Sequence, residues 1–432
     1  MNAMPGLDAN LSRRALLRSG ALLGAAATLP WARAFAAAPE GWPQVSGLIE
    51  RYVAERRVPG MIAAVGWRQD QPTALAKGTQ GFDDPHPVTP QSLFRVYSMT
   101  KLVTGLAVMM LIDEGKLALD GKLADLAPEF AAMRLAIDPQ ASLESRPTAT
   151  PITIRHLLTH TAGLGYAGIS RNKVGEELLR LGVVPAAISH RAIPGFTGAV
   201  PTPGADEFLR RAASVPLVAE PGTRWRYSMA YDVLGILVGR ITGKPLGAFL
   251  HERLFAAAGM DSSFFRVPPA LKPRLATNYG VLLGIPVPID KPATSVFAES
   301  QPFDFGGAGL VSTPADFDRF LRLLLGDGAL DGKRVVSAAA VRMGTSNLLP
   351  PGVDTRGTFI AGAGFGAGGR VGLGADEGSF GWSGAAGTIA LIQRRIGLRA
   401  GLYAQFMPAE TWPLQREFLA AARADSSALA HA

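Results

Sequence analysis

One stretch of this chain constrains its fold more than any other. Residues 102–112 read Leu-Val-Thr-Gly-Leu-Ala-Val-Met-Met-Leu-Ile, within a helical pattern that runs from Ser98 to Glu114. Wound as a helix, that stretch is apolar on every side. A surface helix keeps a polar stripe, so a helix without one is buried at the centre of a core. Gly115 follows as a left-handed stop. The chain has the means to surround such a helix. It has 432 residues, 48% of them hydrophobic and 18% charged, which excludes disorder as the main state. It has no cysteine, which excludes a disulfide scaffold, a zinc ribbon and a cysteine nucleophile. Its 50 Gly and 32 Pro point to long, ordered loops on a globular body.

The flanking patterns supply the other layers. A helix is expected over 48–57, ended by Pro59-Gly60, then a strand over 61–67 with a hairpin partner over 74–81. Helices are expected near 154–159, 176–181, 205–214, 231–242, 247–258, 315–325 and 337–344. The tail returns to strands over 387–393 and 398–405, joined as a hairpin through Arg394-Arg395-Ile396-Gly397, and ends in a helix over 412–423. The expected fold class is therefore α/β in the α+β sense. Residues 39–120 and 300–423 form a sheet flanked by helices, a mostly helical domain is inserted over 121–299, and 424–432 is a tail. The loop 188–203 is too long for a mere connection and is expected to wall a cleft.

Residues 1–38 read as an export signal rather than structure. Arg13-Arg14 precede an apolar run, and Ala36-Ala37-Ala38 offer small residues for cleavage. The arginine pair after Ser12 is of the twin-arginine type. A membrane anchor is the competing reading. The apolar run is broken by Arg18 and stops at Pro30, short of the roughly 20 residues a span needs, which favours cleavage. The expected location is periplasmic or secreted, with the export machinery as partner. The net charge of +8 includes Arg13, Arg14, Arg18, Arg33 and Asp8 of this segment, and +5 remains without them. No basic run longer than two is left, so nucleic acid is not expected as a partner.

Ser98 and Lys101 open the buried helix. Residues three apart share a helix face, so the lysine reaches the serine hydroxyl. A lysine becomes a base when burial disfavours its charged form, and the turn leads straight into Leu102 and Val103. The unpaired N–H groups and dipole at a helix start favour an alkoxide and an acyl oxyanion. A capping serine with a solvated lysine would give the same four letters, so the motif needs support. Tyr227, in a loop before a helix, is a candidate proton relay, or else a core aromatic. Gly381-Trp382-Ser383-Gly384-Ala385-Ala386-Gly387 leads into a late strand, and its small residues allow close approach of a substrate. There the Ala385 N–H is a candidate oxyanion donor beside that of Ser98, and Trp382, Ser383 and Gly384 are candidate substrate contacts. A bulged strand edge is the plainer alternative.

Other motifs fail. His156 and His160 have metalloprotease spacing, but Leu157 stands where the acid must be, so they read as a structural pair. Gly364 to Gly369 matches G-x-G-x-x-G without a following helix and reads as a loop. No G-x-S-x-G occurs, which disfavours an α/β-hydrolase.

In order, the S-x-x-K pair, the Tyr227 loop and the Trp382 strand resemble the serine β-lactamase-related superfamily. The chain is most similar there to family VIII carboxylesterases, themselves like class C β-lactamases. Phe94 to Lys101, Ile154 to Leu164, Glu220-Pro221-Gly222 and Phe305 to Thr313 support this, and the resemblance covers roughly 42–420. It implies Ser98 as acyl-forming nucleophile, Lys101 as its base partner and Tyr227 as second acid/base, with no metal or cofactor. Two positions depart from the lactamase pattern. Met229 stands where those enzymes have Asn, and Trp382-Ser383-Gly384 stands for Lys-Thr-Gly. Without that lysine a pocket should prefer neutral acyl groups. The expected activity is hydrolysis of carboxylic esters, short acyl chains favoured. A β-lactamase or D-alanyl-D-alanine peptidase is the first alternative and a non-catalytic sensor the second. The expected partner is a small ester or lactam.

Overall fold

The computed structural model describes residues 41–194 and 196–429. The export-signal expectation for 1–38 lies outside them.

Eight strands form one antiparallel sheet. In chain order they are β1 (Gly60–Trp67), β2 (Thr73–Gly81), β3 (Asp84–Pro87), β4 (Gly364–Phe365), β5 (Arg370–Val371), β6 (Ser379–Ser383), β7 (Ile389–Gln393) and β8 (Leu398–Tyr403). In space the order is β4-β5-β6-β7-β8-β1-β2-β3, so the early and late segments meet where β1 pairs with β8. Five helices frame the sheet and the site: α1 (Pro43–Ala54), α2 (Thr100–Asp113), α3 (Ala230–Thr242), α4 (Pro314–Leu325) and α5 (Leu414–Leu429).

Strand periodicity separates two cores. Successive side chains of β1 point to opposite faces. Met61, Ala63 and Val65 pack into one cluster with Leu48 and Ile49 of α1 and Leu414 and Phe418 of α5. Ile62 enters the other cluster, with Leu102 and Leu106 of α2 and Phe317 of α4. Helix α1 forms because Val45, Leu48, Ile49 and Tyr52 fall on one face, and each contributes about 1.5–3 kcal/mol when fully buried. Its first N–H groups are capped by the distant carboxylate of Asp425, which accepts from Gln44 at 3.1 Å and Val45 at 3.0 Å. Helix α2 is buried from Thr100 to Leu111, as the apolar run after Lys101 requires.

Several expectations need correction. The first helix starts at Pro43, not 48, because proline suits an N-terminal turn. Ser98 does not sit in the α-helix. It lies in a short 3₁₀ turn, Tyr97–Met99, directly before α2. Residues 381–387 do not lead into a single late strand. They hold the end of a separate strand, β6, and the turn that joins it to β7. The region 121–299 carries two antiparallel hairpins among its helices, Arg134–Ala136 with Ser145–Pro147 and Asn278–Leu282 with Ile285–Asp290. Helix α5 continues to Leu429, past the expected tail boundary at 424.

Candidate active site

The segment carrying Ser98 is held from several directions. Phe94–Arg95 pairs antiparallel with Val311–Ser312, and the Val96 N–H donates to the Leu310 carbonyl at 3.1 Å. The guanidinium of Arg95 is fully buried and donates to the Asp290 carboxylate through Nε at 2.7 Å and to the Ala276 carbonyl at 2.5 Å. Between Arg95 and Ser98, Tyr97 adopts φ +43°, a left-handed conformation that costs a non-glycine residue about 1–3 kcal/mol. Its phenol oxygen accepts from Asn278 at 2.8 Å, and its ring lies edge-on to Phe297. The strain turns the chain sharply at the point where Ser98 is presented.

Three sequence candidates converge there. Lys101 Nζ donates to Ser98 Oγ at 3.2 Å, and Tyr227 Oη donates to the same oxygen at 2.7 Å. Lys101 is fully buried, whereas Ser98 and Tyr227 are partly exposed, so solvent reaches the serine and the tyrosine but not the lysine. Lys101 Nζ also donates to the Gly307 carbonyl at 2.7 Å and lies 4.7 Å from the Tyr227 ring centroid. A hydroxyl between an amine and a phenol has two groups able to take and return its proton.

Trp382 joins them, donating from Nε1 to Tyr227 Oη at 3.3 Å. Ser383 does not. It is the next residue along β6, so its side chain turns to the opposite face. Gly384 approaches the Ser98 turn for a structural reason. A Cβ there would lie 2.4 Å from the Val96 carbonyl oxygen and 2.2 Å from Thr388 Oγ1, so a glycine at 384 is what lets the chain lie against that turn. Ala385 lies in the exposed turn after β6. Among the described residues, neither its N–H nor that of Ser98 has an acceptor, which suits both to an incoming oxyanion.

The sequence reading passed over four other contributors. His160 is not half of a histidine pair. His156 closes a capping box on Thr153, while His160 is buried with its ring 4.7 Å from that of Tyr227. Burial, reinforced by Lys101, pushes the His160 imidazole well below its ordinary value, so the ring is neutral. Tyr166 lies 5.5 Å from the Tyr227 ring, and burial raises its phenol well above the usual value. Gly307 and Asp232 complete the centre. Asp232, fully buried on α3, accepts the Gly307 N–H at 2.9 Å. Burial pushes its carboxyl up to about 6, against the opposing pull of Lys101 and the Gly307 N–H. One signal could have revealed it: a lone acid among Ala230, Tyr231, Val233 and Leu234 is a buried charge in waiting.

Comparison with known proteins identifies the family and the fold. A family model described as Beta-lactamase matches residues 45–424. Protein Rv1367c of Mycobacterium tuberculosis is 36% identical over 282 residues, a match that covers 63% of this chain and 63% of that protein. Esterase EstB of Burkholderia gladioli is 31% identical over 380 residues, covering 82% of this chain and 88% of the esterase. The solved structure of EstCE1, described as a hydrolase with promiscuous acyltransferase activity, superposes with a TM-score of 0.70 at 24% identity. That superposition covers 88% of this chain and 97% of the other. The shared architecture is the β-lactamase and penicillin-binding-protein fold, and with the family model spanning nearly the whole described chain, the protein belongs to the Beta-lactamase family.

Proposed function

We propose that the protein is a serine hydrolase of carboxylic esters that works through an acyl-enzyme on Ser98. The observation that carries this reading is the pair of contacts on one oxygen, Lys101 Nζ at 3.2 Å and Tyr227 Oη at 2.7 Å, with the lysine wholly buried. Ser98 Oγ attacks the ester carbonyl carbon and its proton passes to Lys101 Nζ. The carbonyl oxygen becomes an oxyanion facing the Ser98 and Ala385 N–H groups. The C–O bond to the alcohol breaks, and the departing oxygen takes a proton from Tyr227, which recovers one from Lys101. Water then attacks the acyl carbon and gives its proton to the same pair, the bond from that carbon to Ser98 Oγ breaks, and Oγ takes a proton back from the pair as the acid leaves. No step calls on a metal or cofactor.

Esters are favoured over lactams by Trp382. By the sequence resemblance, Trp382 stands where the lactamases carry a lysine that would pair with a lactam carboxylate, and its indole donates to Tyr227 Oη instead. The esterase activity named for the Burkholderia relative supports the same choice. The acyltransferase activity named for EstCE1 supports an alcohol competing with water in the second step. Export by the leader over 1–38 belongs to this reading as well.

Replacing Ser98 with alanine tests it. Hydrolysis of a short-chain aryl ester should fall at least about 10³-fold, as loss of a nucleophile requires. Undiminished turnover would sink the assignment. A chromogenic cephalosporin run beside the ester should be cleaved far more slowly, and the reverse ranking would move the protein to the lactamases.

A further inference from the structure

Asp232 has no task in the scheme above, yet its placement is expensive. One carboxylate oxygen accepts from Gly307 N–H, while the other is buried with no hydrogen-bond partner among the described residues. An unfilled buried acceptor costs about 1–3 kcal/mol. The fit is nonetheless close. A Cβ on Gly307 would lie 2.9 Å and 3.0 Å from the two carboxylate oxygens, so a glycine at 307 is what lets the carboxylate lie against that peptide. The same residue's carbonyl accepts from Lys101 Nζ at 2.7 Å. A continuous path therefore runs from the carboxylate through Gly307 to the amine and on to Ser98 Oγ.

We propose that Asp232 is a positioning residue for the Ser98 reaction, aiming Lys101 through Gly307 and offsetting the charge that Lys101 takes up with the serine proton. The inference rests on the serine mechanism above and goes beyond it, since that mechanism runs without a buried anion. Its physical basis is the cost of making an ammonium where water is excluded. A fixed carboxylate lowers that cost when the proton arrives, and no reorganisation is needed. Packing alone would not need the charge, because an amide of the same shape would also accept the Gly307 N–H.

The groups around the carboxylate define its titration. Lys101 faces it from α2, Tyr166 from the loop before residue 172, the Gly307 N–H from the 305–310 loop, and Tyr227 and Tyr231 lie on its own segment. Tyr166 and Tyr231 are raised well above 10 and stay neutral, and His160 behind Tyr227 is depressed well below 6.5. Asp232, near 6, is ionised above that pH and protonated below it. Its help to Lys101 is therefore present on the alkaline side and lost as pH falls through about 6.

The test is the pH dependence of kcat for an aryl ester in the wild type, Asp232→Asn and Asp232→Ser, with thermal melts of each and Ser98→Ala in parallel. The wild type should show a limb falling below pH ~6. In either neutral variant that limb should vanish and kcat at pH 8 should drop roughly 10- to 100-fold with KM unchanged, part of the roughly 10²–10⁴-fold contribution of a general base. A wild type without the limb overturns the proposal, whatever the variants do. So does a folded neutral variant that keeps both the limb and its kcat and loses only melting temperature, since that is a purely structural role. Full activity in Ser98→Ala would instead strike the serine mechanism itself, a failure visible separately.

Discussion

The phenol of Tyr227 stands between two partners, donating to Ser98 Oγ and accepting from Trp382 Nε1, while its ring is gripped by His160, Tyr166 and Trp225. Ring and hydroxyl are thus separable. Tyr227→Phe keeps the aromatic packing and removes only the oxygen. It should lower kcat by about 10²–10⁴-fold, the range for a general acid/base group, and change stability by no more than about 1.5 kcal/mol, the net worth of a hydrogen bond. Steady-state kinetics and a urea melt give both quantities, and a variant within twofold of wild type would remove Tyr227 from the chemistry. At this scale the sequence was partly legible. Ser98 and Lys101 could be paired because their geometry is contained in one turn. Asp232 and Gly307 could not, because their contact joins residues 75 apart across two elements.

At the scale of elements, helix α2 shows why propensity and packing must be weighed together. Gly105 lies inside this helix, where alanine is ordinarily better by about 1 kcal/mol. A Cβ at 105, however, would come 2.2 Å from the Ala367 carbonyl oxygen, a backbone atom that has little room to give. Overpacking of this kind costs about 1–3 kcal/mol, so Gly105→Ala should destabilise the protein, against the sign that propensity predicts. A raised melting temperature would show that the 366–369 turn between β4 and β5 yields. The same loop places Gly368, at φ +94°, with its Cβ position 2.1 Å from the Lys101 carbonyl oxygen. The G-x-G-x-x-G match thus reflects close packing on α2, though its first two residues are strand β4 and only 366–369 form the expected loop, as the turn to β5. Strand β6 escaped notice for a related reason. Gly381 and Ser383 carry no strand preference, and only pairing with β7 makes the segment extended. The helices α3 and α4 were legible because apolar spacing alone marks them.

At the scale of the molecule, one buried ion pair ties three parts of the chain together. Arg399 of β8 donates from Nε to Asp318 of α4 at 2.6 Å and from NH1 to the carbonyls of Trp67 and Arg68 at 2.7 Å and 2.8 Å. Both side chains of the pair are essentially inaccessible to solvent. Asp318→Ala strands the guanidinium, and breaking a buried pair by removing one partner costs about 3–5 kcal/mol. A urea or thermal melt should record that loss. The pair lies outside the Ser98 centre, so kcat per folded molecule should hold, and a kcat that fell with stability would show the two regions to be coupled.

The pairing of β1 with β8 has a consequence in time. When a ribosome has made β1 and β2, the other neighbour of β1 lies some 330 residues ahead. At about 5–20 residues per second, that wait is on the order of half a minute. Throughout it the nascent chain carries an apolar strand with one edge open, the kind of edge that invites pairing with a neighbouring chain. Helix α1 waits longer still, since the carboxylate that caps it belongs to Asp425. Birth order and fold order are opposed in this protein. Helix α1, near the start of the described residues, is completed by Asp425, near their end, so a chain cut short by early termination leaves that helix and β1 unfinished.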